Sequence, residues 1–233
     1  MRHPCEECAF YEGSVWKPVD TGSVAVLAHA FRRKNLDEGQ ILFEQDSQNQ
    51  GVYCVSKGLI ALRTLHADGG STLLKLAYPG DIIGFRSFLG SGRHKTEAHA
   101  LLPSRVCIVA HRDANKVVHG NTSVLARFAA RSIVDIDTCH ERIIAAATTS
   151  NKKRLAELLH KLMAAHGVRV GDYMRMQLPL SRTDLADLIG VQPETMSRLF
   201  KRLQEDGTFV VSGRDIQVLL SEHNQKVYAR TPL

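Results

Sequence analysis

The sequence predicts an α+β protein with three parts in order: an N-terminal antiparallel β-roll of the jelly-roll kind, one long helix and a C-terminal winged helix-turn-helix. Three observations support this. Between about residues 37 and 110, apolar runs alternate with clusters of Gly, Asp and Asn, which is typical of antiparallel sandwiches and barrels. From Asn121 to Thr149 the chain has neither Gly nor Pro, as a long helix requires. After Ser150, two short helical patterns precede a hairpin pattern.

The N-terminal region divides into an arm and a β-roll. Residues 1–20 predict an irregular arm that contains a C-x-x-C, and residues 21–115 predict the β-roll. Its strands are expected in runs such as "QILFEQ", "VYCVSKGLIALRTL", "TLLKLAYPGDIIGF" and "EAHALLPSRVCIVA", each followed or preceded by turn residues.

Residues 116–149 predict a long dimerisation helix. Small and apolar residues recur there at alternating spacings of four and three, which is the period of a coiled-coil seam. The seam consists of Leu125, Ala129, Ser132, Ile136, Cys139, Ile143 and Ala146. Because the acids Asp135, Asp137 and Glu141 lie on its flanks, we expect a homodimer that persists in air. The alternative is a core helix that packs within its own domain.

Residues 150–223 predict a winged helix-turn-helix domain, followed by a tail at 224–233. "NKKRLAELLHKLMAAHG" is a first helix, and "TFVVSGRDIQVLL" has the two β-branched runs and the Gly-containing turn of a small wing. Between them, Ser181 and Asp184 form an S-x-x-D capping box that starts a short helix. The buried stripe of this helix is Leu185, Leu188 and Ile189, and Gly190 ends it.

The second short helix starts at Pro193, where a first helical residue tolerates a missing N–H. Its inward face is Met196, Leu199, Phe200 and Leu203, and Gly207 closes it. The outward face must then present Glu194, Ser197, Arg198, Lys201 and Arg202. A polar, basic second helix of this kind is the one that enters the major groove of double-stranded DNA in helix-turn-helix proteins.

We assign base reading to Glu194, Ser197 and Arg198. The fork of Arg198 matches O6 and N7 of guanine, and Glu194 accepts from cytosine or braces Arg198 one turn away. Phosphate contacts are assigned to Ser181, Thr183, Thr195, Lys201, Arg202 and Arg214, with Lys152, Lys153 and Arg154 in the same role. The alternative is a solvated charged face on a core helix. The capping box, the short turn, the proline at the helix start, the apolar stripe and the wing agree with one another, and this agreement favours DNA binding.

The composition agrees with a folded, DNA-directed chain. Its 233 residues are 44% apolar and 23% charged, and the net charge is +6. From Ser150 onward, 13 Lys and Arg stand against 9 Asp and Glu, which fits a polyanionic partner there. No apolar run has the roughly 18 to 20 residues of a membrane span, and no apolar secretory signal opens the chain. We therefore expect a cytoplasmic protein with no membrane partner.

The order of these parts resembles the CRP/FNR family of bacterial transcription regulators over nearly the whole chain. "YPGDIIGFRSFLGSGRHKTEAHAL" is similar to the family's β-roll loop, and "LSRTDLADLIGVQPETMSRLFKRLQEDG" to its helix-turn-helix. The E-x-x-S-R spacing of Glu194, Ser197 and Arg198 is that of the FNR branch. The resemblance implies a homodimeric regulator with a β-roll sensor domain, and we interpret it as an activator. It also implies an inverted repeat of the TTGAT…ATCAA kind and contacts with RNA polymerase.

One departure from the family concerns cyclic nucleotides. Members that bind them carry a Glu for the ribose and an Arg-Ser or Arg-Thr pair for the phosphate, whereas this chain has Arg86 and Lys95-Thr96 near those positions. A cation facing the ribose, and a Lys without the bidentate fork, make cAMP an unfavourable ligand. The alternatives to an FNR-like regulator are a ligand- or cyclic-nucleotide-responsive CRP-like regulator and a metabolite-binding β-barrel that does not bind DNA.

The second departure concerns the cysteines. The resemblance implies a [4Fe–4S] cluster held by three N-terminal Cys and one in the β-roll; Cys5, Cys8 and Cys107 match, but Ser14 stands at the third N-terminal position. His3, Glu6, Glu7 and Cys54 are the candidates for the fourth ligand. The alternatives are a redox dithiol of Cys5 and Cys8, or no cysteine function at all. Cys54 and Cys139 also read as small buried apolar residues.

An enzyme is the remaining rival class. A cupin-like metal oxygenase needs clustered ligands such as H-x-H, whereas the 11 histidines are scattered. The sequence also contains no G-x-S-x-G, P-loop or H-E-x-x-H motif. We therefore expect a protein that is not an enzyme.

Overall fold

The computed structural model describes residues 5–17 and 20–220, together with Tyr228. The predicted α+β class is confirmed, as is the order of β-roll, long helix and helix-turn-helix. The chain divides into two compact units, Met1–Thr138 and Cys139–Leu233. Apart from Tyr228, the predicted tail at 224–233 lies outside the described residues. No helix in the described ranges is long and apolar enough to span a bilayer.

The first unit is built on two antiparallel sheets of four strands each. Their orders are β1-β8-β3-β6 and β2-β7-β4-β5. The strands are β1 (Phe31–Leu36), β2 (Ile41–Phe43), β3 (Gly51–Lys57), β4 (Ile60–Leu65), β5 (Ser71–Ala77), β6 (Ile82–Ile83), β7 (Glu97–Ala100) and β8 (Ser104–Ala110). The helices of this unit are α1 (Thr21–Ala30), α2 (Phe85–Leu89), α3 (His111–Gly120) and the first part of α4 (Thr122–Thr148).

A core between the two sheets holds the β-roll together. Val55 and Val106 face it from the first sheet, and Ile60 and Ala98 face it from the second; all four are completely buried. Because side chains alternate along a strand, their neighbours point to the other side of the first sheet. That outer face carries Val52, Cys54 and Val109 and forms part of a second core.

Helices and the N-terminal arm cover this outer face. Phe128 of α4 is fully buried there, with its ring 5.5 Å from the ring of Trp16 in an edge-on arrangement. The rings of Phe85 and Phe88 lie 5.9 and 6.0 Å from Phe128. Aromatic clusters of this kind contribute packing energy beyond the area that they bury. The arm is therefore part of the core of the first unit.

The sequence patterns missed the helices α1 and α2 and misplaced the start of the long helix. The described part of the predicted arm consists of turns, and α1 follows directly, with the carboxylate of Asp20 accepting from Ser23 N at 3.0 Å. The long helix begins at Thr122 rather than at 116, because α3 ends at Gly120 and Asn121 separates the two helices.

The long helix α4 has one buried patch and a largely exposed remainder. Val124 and Phe128 are its buried residues. The predicted seam is exposed in the single chain except at Ser132, which is half-buried, so a core helix packed within its own domain is wrong. Cys139 is exposed rather than buried. Ile136 and Ile143 are 52% and 67% exposed. Apolar side chains exposed together in this way are unusual unless a partner covers them.

Among its described residues, the second unit contains the end of α4, three further helices and one four-stranded sheet. The helices are α5 (Asn151–His166), α6 (Arg182–Ile189) and α7 (Pro193–Glu205). The strands are β9 (Val168–Val170), β10 (Tyr173–Gln177), β11 (Val210–Ser212) and β12 (Asp215–Leu219), in the order β11-β12-β10-β9. The predicted wing is therefore the β11–β12 hairpin, extended by a β9–β10 hairpin that the sequence patterns did not predict.

Candidate nucleic-acid interface and cysteine group

The turn between α6 and α7 forms as the sequence predicts. In the capping box, Asp184 N donates to Ser181 Oγ at 3.0 Å and Ser181 N donates to Asp184 Oδ2 at 2.9 Å. Gly190 ends α6 with φ at 68°, a left-handed conformation that costs a residue with a Cβ more than glycine. Leu185 and Ile189 are buried as predicted, whereas Leu188 is half-buried.

Helix α7 buries one face and presents the other. Its four predicted inward residues are at most 3% exposed: Met196, Leu199, Phe200 and Leu203. The five predicted outward residues are all exposed: Glu194, Ser197, Arg198, Lys201 and Arg202. We call these five the reading face. The N-cap residue Gln192 makes no side-chain cap bond, and its carbonyl accepts from Thr195 N at 3.0 Å.

The head groups on the reading face are available to a partner. Lys201 Nζ lies 3.8 Å from Glu205 Oε1, and both side chains are mostly exposed, so this ion pair is weak. Within the described part of the chain, Arg198 and Glu194 form no ion pair with each other. The bracing of Arg198 by Glu194 that the sequence suggested is therefore not formed.

The other predicted phosphate contacts differ in how accessible they are. Ser181 and Thr183 are exposed at the start of α6, whereas Thr195 is half-buried in the first turn of α7. Arg214 is exposed in the wing turn, but its Nε donates to Leu178 O at 3.0 Å. Lys152 forms an ion pair with Asp206, which partly neutralises it. Their roles toward DNA stay predictions.

Two arginines that no sequence pattern singled out contact the helix pair. The guanidinium of Arg182 lies 3.3 Å from the centre of the Phe200 ring, which joins α6 to α7 by a cation–π contact, and burial lowers its pKa. Arg142 Nη2 donates to Leu188 O at 3.0 Å and satisfies a carbonyl at the end of α6. Neither side chain has a local pattern that distinguishes it from a solvated arginine.

The β-roll contains a cavity of about 170 Å³. Arg86, Lys95 and Thr96 line it, as the family resemblance implies for the effector position. His94, which the sequence did not single out, also lines it and is only 2% exposed. Its Nδ1 lies 3.0 Å from Ser87 Oγ, while its buried Nε2 has no hydrogen-bond partner among the described residues.

Four of the five cysteines lie on or near the outer face of the first sheet. Cys54 and Cys107 are direct cross-strand partners on β3 and β8. In the arm, Cys8 N donates to Cys5 O at 2.8 Å, so these two belong to one turn. Burial, together with the neighbouring Cys107 and Cys8, raises the pKa of Cys5 to about 12. The pKa of Cys54 is likewise raised to about 12. Burial is the largest cause, and the neighbouring Cys107, Cys5 and Cys8 act in the same direction. We call these four residues the cysteine group.

The remaining candidates for a fourth ligand stand apart from this group. Ser14 is engaged in its own turn, where its Oγ accepts from Trp16 N at 3.2 Å. Glu6 and Glu7 are exposed, and His3 lies outside the described residues. Among the described residues, no three His, Cys, Asp or Glu side chains already converge on a single metal ion.

Comparisons with known proteins agree with both units. Residues 153–222 match the Crp-like helix-turn-helix domain, and residues 33–121 match the cyclic nucleotide-binding domain. The nitrogen fixation regulation protein FixK of Bradyrhizobium diazoefficiens is 26% identical over 221 residues, which cover 93% of this chain and 90% of FixK. The fumarate and nitrate reduction regulatory protein of Escherichia coli K12 is 25% identical over 187 residues, 80% of this chain and 74% of that protein.

Solved structures show the same fold. FixK2 from Bradyrhizobium japonicum superposes with a TM-score of 0.66 at 23% identity, covering 87% of this chain and 98% of that one. A CRP/FNR-family transcriptional regulator from Thermus thermophilus superposes with a TM-score of 0.69 at 19% identity, covering 86% of this chain and 100% of that one.

Proposed function

The chain belongs to the CRP/FNR family of DNA-binding transcription regulators, and from this premise we propose that it reads an FNR-type inverted repeat as a homodimer. Its relatives are regulators rather than enzymes, so the expectation of a non-enzymatic role is confirmed. The observation that carries the proposal is the reading face of α7: five polar side chains point outward over a fully buried apolar face.

The division of labour on this face follows from the side-chain chemistry. Glu194, Ser197 and Arg198 lie nearest the N-terminus of α7, the end that reaches base edges in helix-turn-helix complexes. Arg198 is exposed and unpaired with Glu194, so its fork can take O6 and N7 of guanine without breaking an internal contact. Lys201 and Arg202 follow on the same face and supply phosphate contacts, which give affinity rather than sequence choice.

The homodimer is proposed from the exposed seam of α4. Exposed isoleucines on a helix with a seam period favour a second copy of the same helix as the partner. A symmetric pair then presents two reading faces to half-sites about one helical turn apart. RNA polymerase and an activating role belong to the same proposal, with the chain in the cytoplasm, where it meets the chromosome.

The test measures, by fluorescence anisotropy, binding to a labelled duplex that carries the TTGAT…ATCAA repeat. Two matched duplexes serve as controls: one with a scrambled repeat, and one with five base pairs inserted between the half-sites, which turns the second half-site to the opposite side of the DNA. We expect the intact repeat to bind at least about 10³-fold more tightly than the scrambled duplex. The insertion should lower the affinity to that of a single half-site. Equal affinity for all three duplexes would reject the proposal.

The signal that the regulator detects is proposed to be oxygen or redox state, through the cysteine group. The support is positional: Cys5, Cys8 and Cys107 occupy one face of the β-roll, where the resemblance implies a cluster. Comparison of anaerobic and air-exposed protein in the same anisotropy assay tests this. If protein that contained its cofactor binds DNA with the same affinity after exposure to air, the proposed redox signal is rejected.

A second candidate is control by a small anionic effector in the β-roll cavity. The observation in its favour is the buried, unpartnered Nε2 of His94 beside Arg86 and Lys95, since a buried nitrogen of this kind costs free energy until a ligand meets it. Thermal unfolding with inorganic phosphate, citrate or cAMP distinguishes the cases. A rise in melting temperature with an anion, which is lost in His94→Phe, supports an effector. No shift with any of the three rejects it.

A further inference from the structure

We propose that Arg131 and Asp135 are positioning residues. Their ion pairs with the β-roll fix the rotation of α4 about its own axis, and so set which face of the helix meets a second copy of the chain. This deepens the homodimer of the proposed function and rests on it. The partners on the β-roll are Asp81, just before β6, and Lys75, on β5.

Four residues of α4 that contact the rest of the first unit form one row along the helix. Val124 and Phe128 are buried in the second core. Arg131 and Asp135 continue the row with the same alternation of four and three residues. Residues spaced in this way lie on one face of a helix. The row is therefore apolar in its first half and ionic in its second half.

The predicted seam lies one residue further along the chain at every step of this row. Its members Leu125, Ala129, Ser132 and Ile136 each directly follow a residue of the row. Successive residues of an α-helix are rotated by about 100°, because one turn takes 3.6 residues. When the row rests on the β-roll, the seam faces to one side, where Leu125 and Ile136 are 46% and 52% exposed. The attachment of the row thus determines the direction of the seam.

The ionic half of the row belongs to a neutral group of two cations and two carboxylates. Lys75 Nζ lies 2.6 Å from Asp135 Oδ1, and Arg131 forms an ion pair with Asp81. Arg131 Nε lies 3.7 Å from Asp135 Oδ1 and joins the two pairs. The four side chains are only 20% to 30% exposed, so water screens these charges less than it screens a pair at the surface.

These ion pairs act where the apolar packing of α4 ends. Val124 and Phe128 are the buried residues of the helix, and from residue 133 to 137 only Asp135 is half-buried rather than exposed. The core therefore does not fix the rotation of the helix at Ile136. The pair with Lys75 does, because a rotation by one residue would turn the carboxylate of Asp135 away by about 100°.

The test is the dissociation constant of the dimer, measured by sedimentation equilibrium on the full chain. Asp135→Asn removes the charge with almost no change of shape, and Asp135→Glu keeps the charge. Asp137→Asn is the matched control, because Asp137 is an exposed carboxylate of the same helix that forms no ion pair among the described residues. We expect Asp135→Asn to weaken the dimer at least about fivefold. Asp137→Asn should not weaken it, and Asp135→Glu should restore most of the loss.

A second variant keeps the test independent of one substitution. Lys75→Met should weaken the dimer as Asp135→Asn does, and the double variant should lose no more than either alone, because the pair is already broken. Asp81 is left intact, since its Oδ2 also accepts from Tyr78 N at 2.8 Å and its loss would disturb the turn.

DNA binding distinguishes positioning from general damage to the fold. In the anisotropy assay, Asp135→Asn should bind the intact repeat more weakly, whereas its affinity for a duplex with a single half-site should stay within about twofold of wild type. Far-UV circular dichroism checks that each variant is folded.

Each other outcome overturns the inference. A folded Asp135→Asn with the dissociation constant of wild type excludes the positioning role, and so does an equal loss in Asp137→Asn or in Asp135→Glu. These failures leave the proposed function in place if the wild-type dimer still selects the inverted repeat. A wild-type chain that sediments as a monomer rejects the homodimer and this inference together.

Discussion

Replacement of Arg198 tests the central assignment, because the structure fixes what the change removes. The side chain is exposed and forms no ion pair with Glu194, so Arg198→Ala breaks no ion pair within the described fold. Its effect on the free energy of unfolding should stay within about 0.5 kcal/mol. Any larger loss in DNA binding then reports the missing contact with DNA rather than damage to the domain.

The magnitude follows from the proposed contact. A bidentate Arg–guanine pair contributes about 1–3 kcal/mol of discrimination, which is roughly 5- to 150-fold in Kd for each half-site. A symmetric dimer makes the contact twice, so the full repeat should lose about 2–6 kcal/mol. Substitution of 7-deazaguanine for the half-site guanine removes only N7, and it should weaken the wild-type protein while leaving Arg198→Ala unaffected.

Two further variants separate base reading from charge. Arg198→Lys keeps the charge but lacks the fork, so it should lose discrimination and retain the dependence of affinity on salt. Lys201→Ala should do the reverse: it weakens all sequences alike and lowers the slope of log K against log salt by about 0.9 for each protomer. The assay is fluorescence anisotropy on the intact and base-substituted repeats at several salt concentrations. If Arg198→Ala weakened every sequence to the same extent, the assignment of base reading would be refuted.

Three other expectations concern stability and assembly. Phe128→Ala should lower the free energy of unfolding by about 3–5 kcal/mol in denaturant titration, because the ring is fully buried among other aromatic rings. Ile136→Asp should turn the dimer into a monomer in sedimentation, because it puts a charge on the exposed seam; a dimer that survived would move the interface elsewhere. Hydrogen bonds from Ser23 lower the pKa of Asp20 to about 2, so its contribution to stability is present above its ordinary value of about 3.9 and lost as pH falls toward 2. Asp20→Ala should therefore be less stable than wild type at pH 7, and the two should converge in thermal unfolding near pH 2.

The sequence predicted the helix pair well because local rules and tertiary packing agree there. Ser181, Asp184 and Gly190 fix where α6 starts and ends through bonds to their own backbone, and the apolar stripe of α7 needs only the neighbouring helices to be buried. Such features lie within a few residues of one another, so a linear pattern contains them. The start of α4 was harder, because one asparagine between two helices leaves the apolar period almost unbroken.

Features that depend on distant pairs could not be predicted in this way. Cys54 in a strand resembles any small buried residue, and its significance comes from the register that sets it opposite Cys107, more than fifty residues away. Arg182 likewise resembles a solvated cation until the ring of Phe200 is placed beneath it. In both cases the chemistry belongs to a pair, and the pairing is a property of the fold.

The arm links the cysteine group to α4, the proposed dimer helix, and this limits how a redox signal can act. The described arm, residues 5–17, contains Cys5 and Cys8 and also contacts α4. Val15 O accepts a hydrogen bond from Arg127, and the ring of Trp16 packs edge-on against that of Phe128. Beyond this buried patch, α4 continues into its exposed seam. A change in how the arm is held therefore reaches the helix that we propose pairs two protomers, whereas the side chains proposed to read bases lie on a different element, α7. A redox change in the cysteine group should thus alter the affinity for the two-half-site repeat more than that for a single half-site, through dimerisation, and leave the base preference within each half-site unaltered.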